Sequence, residues 1–125
     1  MVVDDSNAIR SLVCQQLEDL GYKNTLQANN GKDAISKLDQ VYQGKDSIQL
    51  LIIDWKMPEV DGLELLKNLK KHPQYKKIPV LMIAAERDLE KVAESLSSGA
   101  NDFLCKPFDE NALEEKMRRI WNHLK

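Results

Sequence analysis

The sequence predicts an α/β chain: a five-stranded parallel sheet wound with helices on both faces. Three observations carry that prediction. Strand-like and helix-like segments alternate from one end to the other. The run Leu50, Leu51, Ile52 and Ile53 is apolar on consecutive rather than alternate residues, which is the pattern of a strand buried on both faces. The last segment repeats apolar residues at Leu113, Met117, Ile120, Trp121 and Leu124, with Glu110, Glu114 and Glu115 early and Arg118, Arg119 and Lys125 late, as a helix dipole favours. Parallel strands joined by right-handed crossovers then give a doubly wound (βα)5 sheet.

Each element has its own signal. Met1 to Val3 reads as the end of a strand; three residues are short for a buried strand, so a few more are expected to precede them in the native chain. Ser6 caps a first helix carrying Ile9, Leu12, Val13, Leu17 and Leu20, and Gly21 stops it. Thr25 to Ala28 is a short strand, and Asn29-Asn30-Gly31 turns into a second helix carrying Ala34, Ile35, Leu38 and Val41. Strand Leu50 to Asp54 ends at a loop containing Pro58. Leu63, Leu66 and Leu69 mark a third helix that finishes before Pro73, and Pro79 opens the strand Val80 to Ile83. Leu89, Val92, Ala93 and Leu96 give the fourth helix, stopped at Gly99, and Asp102 to Cys105 is the fifth strand.

Composition narrows the function classes. At 125 residues and 42% hydrophobic, the chain can bury one core without disulfides or metal staples, so a single domain over 1–125 is expected. A formal net charge of -2 provides no global attraction to nucleic acid or to an anionic membrane surface. Cys14 and Cys105 lie in apolar stretches and read as buried free thiols in a reducing compartment. No apolar run approaches the roughly 20 residues of a membrane span, and no charged-then-apolar leader opens the chain, so a cytoplasmic location is expected. The lysines Lys67, Lys70, Lys71, Lys76 and Lys77 read as a solvated helix end, and His72 and His123 as surface residues.

Ligands of open α/β sheets bind beyond the carboxyl ends of the strands. There the first strand delivers Asp4 and Asp5, the third delivers Asp54, and the fifth delivers Lys106, followed by Pro107 and Phe108. Three carboxylates in one crevice repel one another unless a cation neutralises them, and all-oxygen ligands suit a hard ion such as Mg²⁺. Lys106 supplies a point charge for an anionic oxygen. Asp54 is then the natural acceptor of a phosphoryl group whose oxygens metal and ammonium neutralise. A simpler reading leaves Asp4 and Asp5 as partners of the first helix's N-terminus.

Taken in order, Val2-Val3-Asp4-Asp5-Ser6, Asp54 with Met57-Pro58 and Asp61-Gly62, Pro79 to Ala85, Gly99-Ala100 and Lys106-Pro107-Phe108 resemble the signatures of two-component response regulator receiver domains over the whole chain. Within that family the likeness is greatest to the chemotaxis regulators, through Asp54-Trp55-Lys56-Met57-Pro58 and Leu113-Glu114-Glu115-Lys116. The resemblance implies a flavodoxin-like fold in which Asp54 accepts phosphate from a histidine kinase. It implies that Asp5, Asp54 and the main-chain carbonyl of Lys56 ligate Mg²⁺, that Asp4 acts through water, that Lys106 contacts the phosphoryl group, and that the Lys106-Pro107 bond can be cis. The implied output face comprises the fourth helix, fifth strand and fifth helix around Lys91, Glu94, Ser95, Phe103 and Lys116, with a flagellar motor switch component as partner.

Two departures from the family pattern stand out. Ala84 occupies the position of a switch Thr or Ser and lacks the hydroxyl, and Phe103 takes the switch aromatic position without one. Lys56 and Glu86 hold positions that in the family flank the path of attacking water. Their opposite charges are expected to pair and slow hydrolysis of an acyl phosphate. Three other readings remain: a receiver within a larger or non-chemotaxis regulator, a weakly switching pseudo-receiver that only docks, and a phosphatase of the haloacid dehalogenase type. The last fits poorly, because such enzymes carry a second Asp where this chain has Lys56. Neither a P-loop nor a G-x-G-x-x-G turn occurs, which argues against nucleotide binding.

Overall fold

The alternation of strand and helix folds as the sequence pattern requires. The structure, a computed structural model, describes residues 1–57 and 61–124; Pro58, Lys125 and the side chains of Leu89 and Leu124 lie outside the described residues. The elements are β1 (Val2–Val3), α1 (Asn7–Asp19), β2 (Gln27–Ala28), α2 (Gly31–Gln43), β3 (Leu51–Asp54), α3 (Gly62–Lys71), β4 (Val80–Ala85), α4 (Leu89–Ser97), β5 (Asp102–Lys106) and α5 (Glu110–Leu124). All pairings are parallel and the sheet order is β2-β1-β3-β4-β5. Strand order reverses at β1, so the crevice between β1 and β3 is the switch point where such sheets bind ligands.

All four residues of β3 are buried, as its consecutive apolar run requires. Alternate residues feed two apolar layers. Val3, Leu51, Ile53, Val80 and Met82 meet α2 and α3 through Ala34, Leu38, Leu63, Leu66 and Leu69. Val2, Ile52, Leu81, Ile83 and Leu104 meet α1 and α5 through Val13, Leu17, Leu113, Met117 and Ile120. Ser6 caps α1 as expected, its Oγ accepting from the Ile9 N–H at 3.3 Å; the side chains of Asn30 and Asp61 cap α2 and α3, whereas Asp88 makes no side-chain cap at α4.

Several expectations need correction. Leu12 is 49% exposed, and Gln16 takes the buried place instead. On α4, Val92 and Ser95 face inward while Ala93 is exposed and Leu96 is 41% exposed. Ser95, expected on the output face, is thus sealed, its hydroxyl donating to the Lys91 carbonyl at 2.9 Å. Cys14 and Cys105 are free thiols but only half-buried. The lysine group is not uniformly solvated either. Lys70 Nζ donates to the carbonyls of Lys76 at 3.1 Å and Ile78 at 3.0 Å, and burial pushes its ammonium below the usual lysine range. Tyr75, which carried no sequence signal, is 1% exposed, bonds Asp39 on α2 through its hydroxyl, and stacks with exposed His72.

Candidate functional site

Local backbone chemistry places each carboxylate at its strand end. The Asp4 N–H bonds the Ala28 carbonyl at 3.1 Å, completing the β1–β2 ladder, and the chain then turns into α1. One Asp4 oxygen, Oδ1, accepts the Ser6 N–H at 2.9 Å. The simpler reading of Asp4 as a partner of the α1 entrance therefore holds for that oxygen. The other, Oδ2, is buried with no hydrogen-bond partner, and Asp4 is only 2% exposed. A buried carboxylate oxygen without a hydrogen bond is costly, and one ammonium at 4.0 Å offsets this only in part, so a further cation is favoured here.

Asp54 closes β3 and is 5% exposed; Asp5 stands exposed at the mouth. Asp4, Asp5 and Asp54 each present a carboxylate oxygen, all within 4.8 Å of one another. Opposite them, the pairing of Ala85 with Lys106 sets the end of β5, and the Lys106-Pro107 peptide is cis. Lys106 Nζ lies 3.1 Å from Asp54 Oδ1 and 4.0 Å from Asp4 Oδ2. A single ammonium faces three carboxylates, and the titration behaviour reflects the imbalance. Burial foremost, then the Asp4 charge, raises Asp54 to about 6 against the partial relief of Lys106. Asp4 is raised as well, mainly by burial, opposed by the Ser6 N–H and Lys106. The all-oxygen, net-negative cluster fits a hard divalent cation in both donor type and charge.

That imbalance has a measurable consequence. With a folded-state pKa of about 6 against 3.8 for the free side chain, the Asp54 site favours folding only while it is protonated, and the advantage is lost as pH rises through 6. Asp54→Asn is therefore expected to stabilise the metal-free protein by about 2–3 kcal/mol near neutral pH, with the gain vanishing below about pH 4. Urea unfolding across that range checks it; a gain independent of pH, or none at neutrality, would contradict the electrostatic assignment.

The rim is built by the loop after β3 and the end of β4. The Trp55 N–H donates to the Ile83 carbonyl at 2.8 Å, and the Gly62 N–H to the Trp55 carbonyl at 2.8 Å. Met57 packs into the core, in keeping with thioether being a poor ligand for hard ions. Ala84 is buried opposite Cys105. Phe103 is half-buried, with Lys116 Nζ 4.9 Å above its ring. Lys56 and Glu86 are both exposed, and no ion pair joins them among the described residues, so the expected pairing is not formed. Two side chains reach free water more readily than each other when neither is desolvated.

Sequence reasoning missed Arg10. Its Nη1 donates to the Asp4 carbonyl at 2.6 Å and its Nε to Gln27 Oε1 at 3.3 Å, pinning the turn that presents Asp4 and Asp5. The available signal was a cation close to a helix N-terminus, where the dipole disfavours it and a specific acceptor must compensate.

Comparison with known proteins agrees with this geometry. The family model described as the response regulator receiver domain matches residues 1–118. The chain is 38% identical over 120 residues to chemotaxis protein CheY1 of Helicobacter pylori, across 96% of this chain and 94% of that one. It is 36% identical over 124 residues to chemotaxis protein CheY-3 of Vibrio cholerae, across 99% and 92%. Among solved structures, Vibrio cholerae CheY4 matches with a TM-score of 0.83 at 34% identity over 95% of this chain and 94% of that one. The receiver domain of NtrX from Brucella abortus matches at 0.82 and 30%, over 96% of each chain. An acidic cluster at the switch point of a five-stranded parallel sheet, a lysine at the end of β5 and these likenesses agree, and the chain belongs to the response regulator receiver family.

Proposed function

We propose that Asp54 is the phosphoacceptor of a Mg²⁺-dependent signalling switch, loaded by a histidine kinase in the cytoplasm and read out by a partner at the surface of α4, β5 and α5. The observation that carries this reading is the three-carboxylate cluster within 4.8 Å, faced by Lys106 at 3.1 Å from Asp54. Asp5, Asp54 and the main-chain carbonyl of Lys56 would hold the metal, with Asp4 acting through water by its unpaired oxygen. When bound, the metal supplies positive charge to the phosphoryl oxygens. The chain's own residues do the rest. Above pH 6 the Asp54 carboxyl is mostly ionised, and its oxygen attacks phosphorus while the bond to the donor breaks and the leaving group keeps the electron pair. Lys106, paired with the carboxylate before transfer, would turn its ammonium to a phosphoryl oxygen and neutralise its charge. Asp54 is regenerated when water attacks the acyl phosphate and inorganic phosphate leaves with the carboxylate restored, so phosphotransfer and dephosphorylation are self-catalysed and each cycle consumes one donor and one water.

Chemotaxis is the proposed setting, from the likeness to the CheY proteins, with a flagellar motor switch component as partner. Exposed Ala93, Leu96, Lys91 and Glu94 on α4, with Lys116 on α5 beside Phe103, support an output surface there. Exposed Lys56 and Glu86 would act on the lifetime of the phosphoryl group separately. Incubation with acetyl phosphate and Mg²⁺ is expected to add one phosphoryl mass to the parent and none to Asp54→Asn. An equal yield in the mutant removes Asp54 as acceptor. Ala84 favours one second reading, a receiver that docks without switching; absence of any adduct in the parent would select it.

A further inference from the structure

Trp55 makes more connections than a rim residue needs. It follows Asp54 directly in the chain, so any displacement at the acceptor reaches it through one peptide bond. Its N–H is held by Ile83, the residue before Ala84, and its carbonyl by the Gly62 N–H at the start of α3. Its ring is half-buried against the apolar layer beneath α2 and α3, and it also meets α4, where Lys91 Nζ lies 5.5 Å from the ring centroid. Trp55 thus touches the acceptor, β4, α3 and α4 at once. Ala84, at the end of β4, has no hydroxyl with which to reach the acceptor.

We infer that Lys91 is a positioning residue that couples the Asp54 site to α4 through the face of Trp55. The inference rests on the phosphoacceptor reading above. A cation over an indole is held by the ring's negative face, and at an exposed site the attraction biases a two-state equilibrium by about 2- to 5-fold. Movement of the Trp55 segment therefore changes how well Lys91 is seated, and with it the position of the first turns of α4. The ammonium is the part that matters, because the aliphatic stem alone has no such preference for the ring face.

The test compares the parent with Lys91→Met, which keeps a long stem without charge, and Lys91→Arg, which keeps the charge. Each is measured free and with Mg²⁺ and beryllofluoride, a phosphoryl mimic. Fluorine NMR reads occupancy of Asp54, and amide exchange reads the response of α4. At saturating beryllofluoride, Lys91→Met is expected to reach the same Asp54 occupancy as the parent, while its α4 response falls about 2- to 5-fold and the accompanying change in Trp55 fluorescence shrinks; Lys91→Arg retains both. A full α4 response in Lys91→Met, with Asp54 occupied, overturns the coupling alone. A parent that takes up no beryllofluoride overturns the phosphoacceptor reading and this inference with it.

Discussion

Gly62→Ala is expected to destabilise the protein by about 3 kcal/mol or more, above the usual range for an added methyl group. A Cβ at Gly62 would stand 2.2 Å from the Asp54 carbonyl oxygen, 2.8 Å from Trp55 Cα and 2.9 Å from the Asp54 carbonyl carbon. All three are backbone atoms, so no rotamer change relieves the clash. Either α3 withdraws and the 2.8 Å bond from Gly62 to Trp55 is lost, or β3 is pushed and Asp54 leaves its place beside Lys106. Phosphoryl uptake should therefore fall together with stability. Gly44→Ala is the control: its Cβ meets nothing nearer than the Val41 carbonyl oxygen at 3.4 Å, at a φ of -75°. Stiffening the unfolded chain there should leave stability within about 1 kcal/mol of the parent. Equal shifts in the urea midpoint for the two variants would show that the contact with Asp54 is not what requires glycine.

Ala84→Thr is expected to strengthen the switch by roughly 10- to 150-fold in the ratio of active to inactive forms. The figure follows from the about 1.5–3 kcal/mol that a hydrogen bond to a charged group contributes when only one state can form it. Ala84 cannot form such a bond, and by strand alternation its methyl group points to the same face as Val80 and Met82, towards α3 and α4. Without that bond the parent is expected to respond weakly. NMR shifts of the β4 end and β5, with and without beryllofluoride, measure the conversion. Because Ala84 is buried, Ala84→Ser, one atom smaller than the threonine variant, separates the hydroxyl's effect from overpacking. A parent that already converts completely, with no gain in either variant, would show that this chain switches through other contacts.

The sheet and the acidic cluster were legible because they depend on features the chain states locally. A run such as Leu50 to Ile53 has only one comfortable environment, and a strand end followed by Asp or Lys puts that side chain in the crevice whatever the helices do. The helix faces were less legible. On α1, Gln16 lies nearer than Leu12 to the centre of the stripe formed by Ile9, Val13, Leu17 and Leu20, and its long side chain enters the core although Oε1 finds no partner. On α4, burial at Val92 and Ser95 turns the helix about a quarter turn from its most apolar stripe. Packing geometry decided between faces there; side-chain polarity did not. Gly62 lets α3 approach the carbonyl of Asp54, a contact no local pattern encodes.

The sheet order also governs when the site comes into being. β1 lies between β2 and β3, with Val3 paired to Ala28 on one side and Ile53 on the other. During synthesis, at about 5–20 residues per second, one edge of β1 waits several seconds for a partner about 50 residues downstream. Until β3 emerges, β1 and β2 are two-residue strands with nothing to close them, and a fragment ending before Asp54 has no stable sheet. The pairing that first closes the sheet is the same one that brings Asp54 against Asp4 and Asp5. Nascent-chain collapse and carboxylate repulsion thus meet in one event, and a cation that neutralises the carboxylates favours that event as well as the finished protein.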